Sequence, residues 1–321
     1  MKKLLLLLLL TVAQIAAAKD FGQVATSGAQ LLKINFDPRA SALGYAAASM
    51  VNNASAVYTN IAGTGFVQNA DVAFTYLPYF ADLKLMSAAG AYNVEGIGVF
   101  SLHIAGFTSD EEITTIEQEN GTGERYSISN LTVGVGFSRY VMENLIVGFQ
   151  AKLYSESYYG HSAHAFAFDI GTNYALGFAN SKLALVLQNF GPNVRPLSGS
   201  YVDYSDNFNQ KNYNDAPLPV TFRASFTAEP FVGETYRVRF NADLVHPNDN
   251  IEHYNFGAEI LLMDVVALRG GVKLNYDDET FAAGIGIDGT KLLGSGLRID
   301  YSYENFKILP SVQKLSLGFS L

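Results

Sequence analysis

The sequence lacks Cys and Trp, and beyond residue 18 it has no apolar run long enough to cross a bilayer as a helix. The absence of Cys excludes a disulfide framework. Charged residues make up only 16% of the chain and hydrophobic residues 49%, and the net charge of -9 leaves no basic surface for nucleic acid. An apolar chain without helical spans is typical of strands that alternate lipid-facing and lumen-facing residues.

The N-terminus predicts a secretory signal peptide over residues 1–18. Two lysines precede the leucine run at 4–10, and three alanines at 16–18 supply a small-residue cleavage site, so we place cleavage after Ala18. The alternative, an uncleaved membrane helix, is disfavoured because Thr11 and Gln14 interrupt a run that falls short of about 20 apolar residues. With the strand pattern below, export predicts the bacterial outer membrane as the location.

From Asn69 onward the hydropathy alternates, and we count fourteen candidate strands. The ninth sets Tyr236, Val238, Phe240, Ala242 and Leu244 against Arg237, Arg239, Asn241 and Asp243. A β-sandwich would show the same period with its apolar face inward. Here the polar face carries too many charges for the solvent-facing side of a sandwich, and the strands are too many for one sandwich. We therefore predict an all-β fold, a 14-stranded antiparallel transmembrane β-barrel with an N-terminal hatch or plug segment.

The last residues form the fourteenth predicted strand. Apolar residues alternate with small or polar ones up to the final residue: Leu315, Leu317, Phe319 and Leu321 on one face, Lys314, Ser316, Gly318 and Ser320 on the other. We expect this strand to close the barrel against the first, near Val72, Phe74 and Tyr76.

Loop lengths give the predicted barrel an orientation. Outer-membrane barrels have short periplasmic turns and longer outer loops in alternation. The predicted outer connections include residues 108–124, 155–162, 191–216 and 246–250, and the tightest periplasmic ones are 141–143 and 263–264. Two looser periplasmic turns are expected at 229–234 and 288–295.

Residues 20–65 do not follow the strand pattern. The segment is rich in Ala, Ser and Asn, and residues 40–50 carry helical spacing. About 45 residues before the first strand could form a periplasmic extension or a plug folded into the lumen, and a barrel of fourteen strands is wide enough to hold a plug. The predicted domains are therefore a signal peptide at 1–18, a hatch at 19–68 and the barrel at 69–321.

The hatch segment resembles the N-terminal signature of the PorV/PorQ family, relatives of the FadL long-chain fatty-acid transporters. The resemblance rests on FDPRASALG at 36–44 and NNASAVYTNIAG at 52–63, and continues in PLPVTFR at 217–223, LRGGV at 268–272, AGIGI at 283–287 and the last strand. The sequence departs from the family where Thr59 replaces the usual Trp and Ile61 the usual Pro.

The resemblance implies a fourteen-stranded outer-membrane barrel whose hatch motif comprises Arg39, Asn60, Ala62 and Gly63. PorV-like members collect exported cargo for type IX secretion and surface attachment, so the main hypothesis is a component that binds protein partners. The alternative is a FadL-like transporter of hydrophobic small molecules, which predicts apolar pockets near the hatch and an opening in the wall. A general porin is a third hypothesis.

The predicted lumen face collects charges of both signs in nearly equal number. One interpretation is a selectivity lining, which would favour one sign. The other, which we prefer, is that the charges pair with one another and with the plug. The candidate network comprises Lys152, Arg223, Arg237, Arg239, Asp243, Glu259, Arg269, Lys273, Arg298 and Asp300, with Asp169, Lys182, Asp288 and Glu304 on the same face.

No residue pattern predicts an enzyme, a cofactor or a metal site. His161 and His164 are three positions apart with no carboxylate or Cys nearby, and the group Asp249, Glu252 and His253 fits a solvated turn. Expected partners are outer-membrane lipid, proteins of secretion or their cargo, and a hydrophobic ligand; nucleic acid is not expected. Aromatic residues in the loop 191–216 are candidates for partner contact: Tyr201, Tyr204, Phe208 and Tyr213.

Overall fold

A computed structural model describes residues 26–115, 117–119, 121–158, 161–196, 200–203, 209–212, 214–294 and 296–321. The predicted signal peptide and its cleavage site lie outside these residues. Within the described ranges no helix is long and apolar enough to span a membrane.

Fourteen antiparallel strands of the described chain close into a barrel in which each strand pairs with the next and the last with the first. This confirms the predicted fold. The strands are β1 Ala70–Pro78, β2 Lys84–Val94, β3 Gly98–Glu112, β4 Arg125–Met142, β5 Leu145–Tyr158, β6 His161–Ala175, β7 Lys182–Phe190, β8 Thr221–Val232, β9 Tyr236–Pro247, β10 His253–Leu262, β11 Val266–Leu274, β12 Glu279–Asp288, β13 Gly296–Phe306 and β14 Val312–Ser320.

The seam between β14 and β1 has the expected register. Val72 lies opposite Phe319, Phe74 opposite Leu317 and Tyr76 opposite Leu315. All these side chains point outward, where Phe74 is 59% exposed, and the intervening residues point into the lumen. The outer surface is therefore an apolar belt. Its exposure to water would be unfavourable, and contact with lipid removes that cost.

Long connections gather at one end of the barrel, which we call the outer end, and short turns at the other, the periplasmic end. Two predicted loops are partly strand. Residues 155–158 and 161–162 continue β5 and β6, which pair up to Tyr158–His161, and β3 runs on to Glu112. Sequence reasoning missed these extensions because their outward residues are polar above the apolar belt.

Two periplasmic turns also differ from expectation. Residues 229–232 belong to β8, with a register shift between Ala228 and Phe231, and residues 288–295 contain the short helix α2, Thr290–Leu293. The turn at 263–264 is present as predicted, with both residues at positive φ.

The segment from residue 26 to 68 lies in the lumen as a chain of short helical turns. These are 3-10 turns at Gln30–Lys33, Ala54–Tyr58 and Ile61–Phe66, and helix α1, Pro38–Ala42. Asp37 caps α1 and Asn60 caps the last turn. The helix expected over 40–50 ends at Ala42 because Gly44 and Tyr45 both adopt φ of 63°, the left-handed conformation that stops a helix.

Wall glycines let the hatch backbone touch the barrel on two sides. On one side, a side chain at Gly257 would meet the Leu43 carbonyl oxygen at 2.7 Å, and one at Gly271 would overlap the Leu43 backbone. On the other, a side chain at Gly148 would meet the Ala62 nitrogen at 2.7 Å. The middle of the hatch is thereby wedged across the lumen and divides it into an outer and a periplasmic chamber.

Candidate functional site

The outer chamber contains a cavity of about 420 Å³ between the hatch and the wall, which we call the apolar cavity after the apolar part of its lining; Lys33, Glu279, Glu304 and Lys314 also line it. Its apolar lining comes from both: Leu31, Ile34, Leu83, Leu85, Phe107, Phe306 and Val312. Leu85 and Val312 are buried within a larger apolar cluster that includes Leu77. Since cavities that hold small molecules are mostly apolar with a few polar groups, this chamber is the leading candidate for a ligand site.

A second cavity of about 250 Å³ adjoins the first across the hatch segment. Lys33, Ile34, Tyr45 and Glu279 line both cavities. Lys33 forms an ion pair with the buried carboxylate of Asp249, which holds the start of the hatch to the connection between β9 and β10. The outer chamber therefore contains two cavities, one more apolar and one more polar, and hatch residues lie between them.

Lys314 of β14 fastens the hatch beneath the outer chamber. Its ammonium group is 2% exposed and forms an ion pair of 2.6 Å with Glu304. It also donates to three hatch oxygens, at 2.8 Å to the Asn35 carbonyl, 2.7 Å to Ser41 Oγ and 2.8 Å to the Tyr45 hydroxyl. The alternation placed Lys314 on the polar face, but nothing in the sequence indicated this anchoring role.

Within the hatch motif, Asn60 links two parts of the hatch to the wall. Its Nδ2 donates to the Ala48 carbonyl at 2.7 Å and to the Thr172 carbonyl of β6 at 3.0 Å, and its Oδ1 accepts from the Ala62 nitrogen at 3.0 Å. Gly63 is packed so closely that a side chain there would meet the Val51 carbonyl oxygen at 2.6 Å. These residues shape the hatch and join it to the wall.

Glu259 of β10 is the centre of the ion-pair network in the periplasmic chamber. Three guanidinium groups contact its carboxylate, Arg39 at 3.1 Å, Arg239 at 2.8 Å and Arg269 at 2.7 Å. Arg269 also pairs with Asp300. Arg39 thus lies on the hatch and reaches the network, which the sequence placed only on the wall.

The remaining predicted network residues lie in separate groups. Arg237 approaches this network through Glu229, which also contacts Arg239, and it pairs with Asp264. Four further pairs stand apart: Lys152–Asp169, Arg223–Asp243, Lys273–Glu304 and Arg298–Asp71. Pairing was the preferred interpretation of these charges; it stays a prediction, because Lys182 and Asp288 belong to none of these pairs. Asp71, Glu229 and Asp264 were not singled out in the sequence.

Asp37 and Tyr79 are two of the several titratable groups outside the strands whose pKa values are shifted. Burial, reinforced by the nearby Asp300 carboxylate, raises the pKa of Asp37, and one of its carboxylate oxygens has no hydrogen-bond partner. Burial, together with Glu279 and Glu304, raises the pKa of Tyr79, beside the apolar cavity, to about 12. Burial is the largest cause of both shifts.

The barrel ladder is incomplete at the outer end of one seam. The pairing of β1 with β14 stops at Tyr76 and Leu315, although β1 continues to Pro78 and β14 begins at Val312. Pro78 lacks the N–H that a ladder bond needs. Val312 also lines the apolar cavity, which therefore lies directly behind this break.

Other candidate residues do not form a site. Among the described residues, no group of three or more His, Cys, Asp or Glu side chains is placed to hold a metal. His246 pairs with Glu252, and His253 stacks on Tyr276. Tyr204, Phe208 and Tyr213 lie outside the described residues, and Tyr201 lies on a short strand, Ser200–Asp203.

Comparisons with known proteins bear on the fold. No family model matches the sequence, and a search of curated proteins finds no match. Among solved structures, the CymD monoaromatic hydrocarbon channel has a TM-score of 0.58 and 12% identity, covering 90% of this chain and 98% of that chain. The toluene transporter TbuX of Ralstonia pickettii has a TM-score of 0.57 and 11% identity, covering 89% and 98%.

A FadL homologue of Pseudomonas aeruginosa has a TM-score of 0.54 and 11% identity, covering 93% of this chain and 99% of that chain. At such identities the likeness shows a shared fold alone. The chain therefore has the 14-stranded barrel fold of FadL-type outer-membrane proteins. The finer PorV/PorQ assignment stays a prediction from the hatch and strand motifs.

Proposed function

We propose that this protein is a non-enzymatic outer-membrane barrel that binds hydrophobic small molecules and passes them inward. The observation that carries the proposal is the apolar cavity of about 420 Å³ between hatch and wall. The FadL-type fold supports it, since the solved structures with this fold include a hydrocarbon channel and a toluene transporter. The predicted signal peptide fits the same location.

The same proposal gives the ligand a route. The middle of the hatch is closely packed against wall glycines, which opposes direct passage down the lumen. The break in the β1–β14 ladder beyond Tyr76 and Leu315 lies beside the cavity and provides a weak point in the wall. A hydrophobic molecule leaving there would enter lipid without crossing the charged periplasmic chamber.

Substitutions at Phe107 test the binding proposal. Phe107 is half-buried and lines the apolar cavity opposite Asn130. Phe107→Asn adds a polar group to the lining, whereas Phe107→Leu keeps it apolar and serves as the matched control. Toluene and naphthalene binding would be measured by ligand-detected nuclear magnetic resonance on protein in lipid nanodiscs, against empty nanodiscs.

We expect the Asn variant to weaken binding at least fivefold and the Leu variant less than twofold, with both barrels retaining their heat-modifiable mobility on gels. Equal affinity of all three proteins, or no binding above empty nanodiscs, would refute the proposal. The protein-partner hypothesis rests on the hatch resemblance and on aromatic residues of the loop 191–216, three of which lie outside the described residues. Co-purification of exported proteins with the barrel would support it.

A further inference from the structure

Lys182, the first residue of β7, differs from the other lumen-facing lysines and arginines that the structure describes. Each of the others has a carboxylate oxygen within 4.0 Å, as Lys152 has in Asp169 at 2.7 Å. Lys182 has none, and its ammonium group instead lies 4.1 Å from the centre of the Phe66 ring. A cation over an aromatic ring is attracted to it but keeps its charge.

This ammonium group faces a cavity of about 370 Å³ at the periplasmic end of the lumen. Arg237 and Arg239 line the same cavity. Among its described lining residues, Glu229 alone carries a carboxylate. Four uncharged polar residues also line the cavity: Asn52, Asn180, Ser181 and Thr227. The cavity thus exposes three cations to one anion, although the whole chain carries a net charge of -9.

The described carboxylate of this cavity, Glu229, is already engaged by the two arginines. Glu229 is shared between them, at 3.9 Å from Arg237 and 2.6 Å from Arg239. The second carboxylate of Arg237 is Asp264 and that of Arg239 is Glu259, and neither lines this cavity. The positive charge of Lys182 is therefore available to pair with a ligand in the cavity.

We propose that this cavity binds a small organic anion from the periplasm, with a carboxylate or phosphate group placed between Lys182 and Arg237. A half-buried cation without an ion-pair partner is costly, and an anionic ligand lowers that cost through charge-assisted hydrogen bonds. A cavity of about 370 Å³ exceeds an inorganic ion and suits a small metabolite-sized anion. The site lies at the opposite end of the lumen from the apolar cavity and is independent of the proposed function.

Pyridoxal 5′-phosphate is a suitable probe, because its phosphate needs an anion site and its aldehyde reacts with a nearby lysine amine. The purified barrel, in dodecyl maltoside, would be treated with the probe, reduced with borohydride and mapped by peptide mass. We expect Lys182 to be labelled at least tenfold faster than Lys84 and Lys307, two lysines away from this cavity, and succinate or inorganic phosphate to protect it.

Controls separate a built site from general charge effects. Choline chloride at matched ionic strength should protect Lys182 much less than succinate does. Lys182→Arg should retain succinate binding by calorimetry within about threefold, and Lys182→Met, which keeps an apolar stem over Phe66, should lose it at least tenfold. Repeating the labelling of Lys182 in nanodiscs with and without anionic lipid distinguishes a free anion from a lipid head group.

The proposal is overturned if Lys182 reacts no faster than Lys84 and Lys307, or if choline chloride protects it as well as succinate does. Equal succinate affinity of the Met and Arg variants would also overturn it. Protection by anionic lipid alone would assign the site to a head group instead. Since none of these outcomes involves toluene or naphthalene, the result stands apart from the test at Phe107.

Discussion

Neutralising Glu259 removes a carboxylate that three guanidinium groups share, and only one of the three belongs to the hatch. Arg239 keeps Glu229, and Arg269 keeps Asp300. Arg39 keeps a single hydrogen bond of 2.9 Å to Asn52, a neighbour in its own segment. The variant Glu259→Gln should therefore loosen the hatch while leaving the barrel closed.

The size of the effect follows from burial. The Glu259 side chain is 1% exposed and that of Arg39 is 13% exposed, so solvent screens their contact weakly. Breaking a buried pair by removing one partner costs about 3–5 kcal/mol. Because two of the three arginines keep another carboxylate, we expect about 1.5–3 kcal/mol for hatch opening, the range for hydrogen bonds to charged groups.

Cysteine labelling can measure this, because the natural chain contains no Cys. Ser55→Cys places a thiol of nearly the same size in the hatch, at a residue that is 4% exposed. Its reaction with a maleimide then reports how often the hatch opens. An opening cost lowered by about 1.5–3 kcal/mol corresponds to labelling about 10- to 150-fold faster at 25 °C.

Three further proteins complete the test: Arg39→Met, its double variant with Glu259→Gln, and Arg125→Met as the control. Arg125 forms an exposed ion pair with Glu112, so its removal should leave the labelling rate unchanged. The effects of Arg39→Met and Glu259→Gln on the labelling rate should not add, because both substitutions break the same contact. Rates that change less than twofold, or effects that add fully, would refute this account of hatch anchoring.

Two other substitutions test how the hatch packs against the wall and how the buried Asp37 carboxyl group affects stability. Gly271→Ala should speed labelling of the Ser55→Cys thiol by displacing Leu43, at a cost of about 1–3 kcal/mol, whereas Gly270→Ala, with open space around it, should not. Asp37 has a raised pKa, so it stabilises the fold below its ordinary pKa of 3.8 and loses this contribution as pH rises through the raised value. In urea unfolding followed from pH 3.5 to 7, Asp37→Asn should remove that decline, and an unchanged pH profile would contradict the assignment.

The two chambers suit different chemistry. The apolar cluster around Leu85 and Val312 lies at the outer end, and the shared carboxylate of Glu259 lies toward the periplasm. A molecule stable in the first would lose apolar contacts in the second. This separation is why we place hydrophobic binding in the outer chamber and an organic anion in the periplasmic one.

Much of the barrel was predictable because its signal is local. Successive strand residues face opposite sides, so Val72, Phe74 and Tyr76 show their common outward face in the sequence itself. The closing register then followed from matching two such faces. The extensions of β5 and β6 were missed because polar residues at 155–162 above the belt resemble a loop, and only pairing between the strands shows otherwise.

The candidate sites were less predictable because they depend on the path of the hatch. Arg39 and Glu259 are 220 positions apart, and no pattern in either neighbourhood joins them. Lys314 looked like an ordinary lumen residue until its three hatch acceptors were located. Lys182 was one of several lumen cations, and its lack of a carboxylate emerges only from the distances.

The sequence by itself determined most of the strands, their lipid and lumen faces and the seam, since alternation is a property of neighbouring residues. The tertiary structure alone decided which charges pair, where the two chambers lie and which cation is left without a partner. The physical reason is that ion pairs and cavities arise between residues distant in the chain, whose separation is fixed only when the barrel closes around the hatch.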